Sequence, residues 1–127
     1  MRKRLFAMLI AAATAVVASV SPAAADVAPP PGCSRGFFCV SPTYNTNAIW
    51  GTDTGWGPYP RGQGIVGRYW FNNGSPDPGQ DHVDVTYYTQ SGAKYVKCVH
   101  YYPGPGQYSV SFSDAVEVVQ VRWRGEC

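Results

Sequence analysis

The chain is poor in the groups that enzymes and nucleic-acid binders depend on. Of its 127 residues only 14% are charged, and histidine occurs twice, as His82 and His100. Neither histidine sits in an H-x-x-x-H spacing or beside a nucleophile elbow, so no metalloprotease or hydrolase motif is present. The four cysteines lack paired C-x-x-C knuckles, which argues against a structural zinc site. No apolar run of membrane-spanning length follows the first 25 residues. Arg35, Arg61, Arg68, Lys94, Lys97, Arg122 and Arg124 are dispersed and form no basic stripe, which sets nucleic acid aside as a partner. Helix-forming runs are also missing, so no crossover helix is available for an α/β fold.

The N-terminus carries what charge excess there is. Arg2, Lys3 and Arg4 precede an uncharged apolar stretch from Leu5 to Val20, followed by Ser21-Pro22 and Ala23-Ala24-Ala25. This is the pattern of a secretory signal peptide, 1–25, cleaved after Ala25 with no membrane anchor left behind. Its removal leaves seven basic against eight acidic residues, a formal charge of −1 in place of +2. Three consecutive prolines in Asp26 to Gly32 exclude helix and predict an extended leader, 26–32, into a single domain, 33–127.

A secreted domain this small commonly adds disulfides to supplement a limited core. Cys33 and Cys39 enclose five residues in "CSRGFFC", so Cys33 with Cys39 and Cys98 with Cys127 is the preferred pairing, two others being open to the sequence. Strands are predicted at "GFFCVS", at Gly64 to Phe71, at Val83 to Tyr87, at Lys94 to Tyr102, and separately at "QYSVSF" and "AVEVVQVRWR". The third and fourth form a hairpin around "TQSG", with Gly92 suited to a positive φ. Val119, Val121 and Trp123 share one face of the last strand, Gln120, Arg122 and Arg124 the other. The fold class is therefore all-β, a small disulfide-stapled sandwich, with long Gly/Pro/Asn/Asp-rich loops between strands.

Three sets of residues carry chemistry worth weighing. Asp81, His82 and Asp84 are the nearest approach to a catalytic arrangement; His82 and Asp84 share a strand face, but no nucleophile accompanies them, and the protein is not expected to be an enzyme. Asn72, Asn73, Asp77 and Asp81 are oxygen donors in a loop without EF-hand spacing, and turn formation accounts for them without calcium. Trp50, Trp56, Tyr59, Tyr69 and Trp70 supply aromatic area; Tyr69, Phe71 and Trp123 are assigned to packing. Trp50 and Trp56, in a glycine-rich loop, are the candidate platform for a glycan. No metal or cofactor is expected.

The segment "GCSRGFFCVSPTYN", with Gly36 third after Cys33 and Cys39 closing a C-x5-C, resembles secreted actinobacterial proteins of peptidase inhibitor family I36. That family includes metalloproteinase inhibitors of βγ-crystallin-like fold. "KYVKCVHYYP" is similar to their Cys-Val-containing strand. The resemblance implies a βγ-crystallin-like sandwich and a function as inhibitor of an extracellular peptidase. Cys98 and Val99 match the reactive bond, and Lys97, Cys98, Val99, His100 and Tyr101 are the implied contact strand. It departs from the pattern after Tyr44, where Asn47 is the residue left to supply a positive φ. The alternative is a non-catalytic extracellular module that binds cell-wall glycan or is stabilised by calcium.

Overall fold

A computed structural model describes residues 27–77 and 79–127, so the predicted signal peptide lies outside the described residues. Six strands follow in order: β1 (Phe37–Ser41), β2 (Trp50–Thr52), β3 (Ile65–Asn73), β4 (His82–Tyr88), β5 (Lys94–Val99) and β6 (Ser109–Arg124). The fold is all-β, with no helix among the described residues and so none long and apolar enough to cross a membrane.

All strands belong to one antiparallel sheet in the order β2-β1-β3-β6-β4-β5. The long β6 pairs through its first part with β3, from Ser109 to Val118, and through its second part with β4, from Glu117 to Arg124. The sheet folds across β6, and its two wings bury a common core: Phe38, Val40 and Trp70 from one, Val83, Val85 and Val99 from the other, with Val110, Val116, Val118 and Val121 of β6 between them. The layering expected from the sequence thus arises within a single sheet. Trp70 joins the wings, its ring 4.9 Å from Tyr87 and 4.7 Å from Phe112 in edge-to-face contacts.

Three elements differ from the sequence expectation. "QYSVSF" and "AVEVVQVRWR" are one strand because Ser113-Asp114-Ala115 contains no residue that stops an extended chain. β-bulges absorb the misfit instead. Opposite β4, Thr86 pairs with Gln120 but Tyr87 with Val118, so Val119 is the extra residue. That bulge reverses the alternation, and the inward residues change from Val116 and Val118 to Val121 and Trp123. Second, Trp50–Thr52 is a strand inside a segment read as loop, because a three-residue run is too short to show periodicity. Third, the strand expected to reach Tyr102 ends at Val99, where His100 N–H turns to the Gln107 carbonyl at 2.9 Å and Gly104 N–H closes a turn on Tyr101.

Glycine is required at position 67 of β3, where the end of β1 lies close alongside. A Cβ on Gly67 would lie 2.5 Å from Val40 Cγ1 and 2.6 Å from the Ser41 carbonyl oxygen. Gly92 takes φ 87° in the β4–β5 hairpin as expected. The non-glycine residue with positive φ among the described residues is Asn45, not Asn47.

Both preferred disulfides are formed, Cys33–Cys39 and Cys98–Cys127, consistent with an oxidising environment. The leader is docked onto the domain: Val27 N–H donates to the Tyr108 hydroxyl at 3.0 Å, and Ala48 N–H to the Pro31 carbonyl at 2.9 Å.

Candidate functional site

Antiparallel pairing brings three chain segments to one corner of the sheet: the start of β4, the exit of β5 and the exit of β6. His82, the first residue of β4, pairs in register with Arg124, and Val83 pairs with Val99. His100 and Glu126, which follow these partners by one and two residues, therefore arrive beside His82. Arg124 holds the β6 tail, donating to Asp84 Oδ1 at 3.3 Å and Oδ2 at 3.2 Å and to the Glu126 carbonyl at 3.1 Å. The Cys98–Cys127 disulfide ties the same tail to β5.

The two histidines, 18 positions apart in sequence, meet directly. His82 Nε2 lies 2.9 Å from His100 Nδ1 and 3.4 Å from Glu126 Oε2. On the other side of its ring, His82 Nδ1 contacts Asp81 Oδ1 at 2.5 Å. Asp81 and His82 are only 2% and 1% exposed. The Asp81 carboxylate accepts in this bond and His82 Nδ1–H donates, while the His82 Nε2–His100 Nδ1 hydrogen bond can run in either direction. Tyr101 packs edge-on to His82 at 5.6 Å, and His82, His100, Tyr101, Pro105, Gly106 and Glu126 enclose a recess of about 170 Å³.

Asn72 positions the corner. Its Nδ2 donates to the Asp81 carbonyl at 3.0 Å and the Val99 carbonyl at 3.2 Å, and its Oδ1 accepts from Gly74 N–H at 2.9 Å. One buried side chain thereby links β3 to the residues preceding His82 and His100.

The expected Asp81, His82 and Asp84 arrangement is divided. His82 takes Asp81, while Asp84 accepts from Arg122 at 3.0 Å and from Arg124. The oxygen donors weighed for calcium are engaged within the chain. Asn73 binds the Cys33 carbonyl and Arg35, Asp77 accepts from Gly79 N–H, and Asp81 Oδ2 accepts from Asp77 N–H.

Of the implied contact strand, Lys97, Cys98, His100 and Tyr101 are half-buried and Val99 is fully buried in the core. Val99 faces inward because it pairs with Val83 on the core side of β4. β5 is nevertheless the outermost strand of its wing, and Tyr95 and Val96 on it are 52% and 62% exposed. Trp50 and Trp56 do come together, with ring centroids 4.8 Å apart, and Tyr59 continues the cluster at 4.6 Å. Both tryptophans are half-buried against the core, and Trp56 bridges to Val121, so they anchor the loop over β6. The rings are inclined at 57° and 43° and present no common plane.

The histidine corner was not legible from spacing. The one local signal was the Asp81-His82 dipeptide; the partners lie at the exits of β5 and β6, the two strands that flank β4. No protein family, curated protein or solved structure matches the chain.

Proposed function

We propose that the protein is an exported, disulfide-stabilised inhibitor of an extracellular peptidase, acting through the free edge of β5. The observation that carries this reading is the edge itself. β5 ends the strand order, and its Tyr95 and Val96 side chains are exposed. A free strand edge offers backbone donors and acceptors to an extended partner segment, and its alternate side chains supply specificity. The Cys98–Cys127 disulfide and the Tyr87–Tyr95 ring contact at 5.7 Å hold the strand in advance, which lowers the ordering cost of association. The burial of Val99 moves the centre of the contact from the Cys98-Val99 bond to Lys94 through Lys97. The signal-like N-terminus and the resemblance to the inhibitor family, with its βγ-crystallin-like fold, belong to the same proposal.

Titration of the oxidised protein against a panel of secreted metallo- and serine peptidases tests it. Stoichiometric inhibition of at least one enzyme is expected, weakened at least about tenfold by Tyr95→Ala with Lys97→Ala while melting is unchanged. No inhibition at stoichiometric excess across the panel refutes the reading.

A second reading, binding of an extracellular glycan, is favoured by one feature. A recess of about 530 Å³ is lined by Trp123, Arg122, Asp53, Asp77 and Gln80, an aromatic ring beside polar groups. Retention on peptidoglycan, chitin or cellulose without peptidase inhibition supports this reading over the first.

A further inference from the structure

We propose that Cys98–Cys127 is a redox-active bridge that exchanges with an external dithiol, the histidine corner acting as acid–base partner to the Cys127 sulfur. This goes beyond the inhibitor reading and does not depend on it. The two disulfides stand in different surroundings. Cys33 and Cys39 are 8% and 2% exposed and pack with Tyr69 and Phe71. Cys127 is exposed, and Cys98 lies half-buried on the edge strand β5. Both histidines of the chain are found at this second bridge: Cys127 Sγ and one ring nitrogen each of His82 and His100 lie within 4.8 Å of one another.

The buried Asp81 completes the arrangement. It accepts the Nδ1 proton of His82, so a carboxylate, an imidazole and a sulfur follow one another from the interior to the surface. This order of groups activates a thiol: the imidazole takes its proton, and the carboxylate orients the imidazole and offsets the charge it gains. Asp81 and His82 lacked a nucleophile in the sequence; the β6 tail brings one to them. Exchange proceeds by two displacements. A thiolate of the dithiol attacks Cys98 Sγ, the S–S bond breaks, and its electron pair leaves on Cys127 Sγ beside the imidazoles. The second thiol, deprotonated, then attacks the sulfur bonded to Cys98, and Cys98 departs and takes up a proton. Two electrons and two protons pass from the dithiol, which becomes a disulfide, to the two cysteines. A leaving thiolate next to a proton-bearing imidazole departs faster, which favours this bridge over the enclosed Cys33–Cys39. Glu126 Oε2, 3.4 Å from His82 Nε2, and Arg124, paired with Asp84, are the other charged groups at the corner. Reduction unties the β6 tail from β5.

The test uses the full oxidised chain in native buffer at about pH 7, treated with dithiothreitol, trapped with iodoacetamide and read by mass spectrometry. Cys98 and Cys127 are expected to be alkylated at least about tenfold faster than Cys33 and Cys39, with cooperative melting retained after the first bridge opens. In that singly reduced chain Cys127 is expected to alkylate at lower pH than Cys98. The deciding variants are His100→Gln, which leaves an amide beside His82, and Asp81→Asn, each checked for wild-type melting in the oxidised form. At least one is expected to slow opening of the bridge about tenfold and to move the alkylation profile of Cys127 to higher pH. A merely structural role would move neither. Equal rates at the two bridges, or their joint opening only as the chain unfolds, overturns the proposal. So does one alkylation profile shared by Cys127 and Cys98, or a wild-type rate and profile in every variant that melts normally.

Discussion

Replacing Asn72 by Ala tests how the corner is held together. The side chain is fully buried and answers three backbone groups at once, the carbonyls of Asp81 and Val99 and the amide of Gly74. Alanine removes the Asn72 partner from all three in a site closed to water. Each of the three buried hydrogen bonds is worth about 1 kcal/mol, so the loss is expected to reach about 3 kcal/mol. For a domain with about 5–15 kcal/mol of total stability this is a large fraction, and it corresponds to a fall of roughly 12 to 24 °C in the melting midpoint. Asn72→Asp keeps the acceptor for Gly74 but places a carboxylate oxygen against two carbonyls, and it is expected to be no milder at neutral pH. Urea unfolding with an unchanged m-value provides the measurement. A loss below about 1 kcal/mol for Asn72→Ala would refute the reasoning, because the three groups would then be finding other partners.

Opening the Cys98–Cys127 bridge by paired serine substitutions releases a loop of sequence separation 29, for which chain entropy gives a loss of about 3.5 kcal/mol. A reduced urea midpoint of that size is expected, and an unchanged midpoint contradicts the role of the bridge as a staple. Burial raises the phenol of Tyr69 above its ordinary value of 10.0, and burial followed by the Tyr95 charge does the same for Tyr87. The folded state therefore retains these protons where the unfolded chain releases them. Their contribution is fully present below about pH 10 and is lost as pH rises through the folded values. Melting midpoints measured from pH 8 to pH 11 should fall above pH 10, and less steeply in Tyr69→Phe.

Local pattern was enough to place five of the six strands, because each carries its own alternation or aromatic and β-branched density between turn residues. The hairpin at Gly92 and the preferred disulfide partners were likewise available from neighbouring residues and from loop length. The sequence did not separate the true course of β6 from two shorter strands, since the bulge at Val119 depends on how β4 lies against it. It identified Val99 as a strand residue but not as one closed into the core, which follows from its pairing with Val83. The histidine corner lay furthest from view. Asp81 and His82 are adjacent, but His100, Glu126 and the bracing side chain of Asn72 reach them through antiparallel registers set across the whole sheet. Strand formation reflects short-range sterics and the period of two, which residues express locally. Which strand ends share a corner is decided by long-range pairing, and only the folded chain brings those donors within bonding distance.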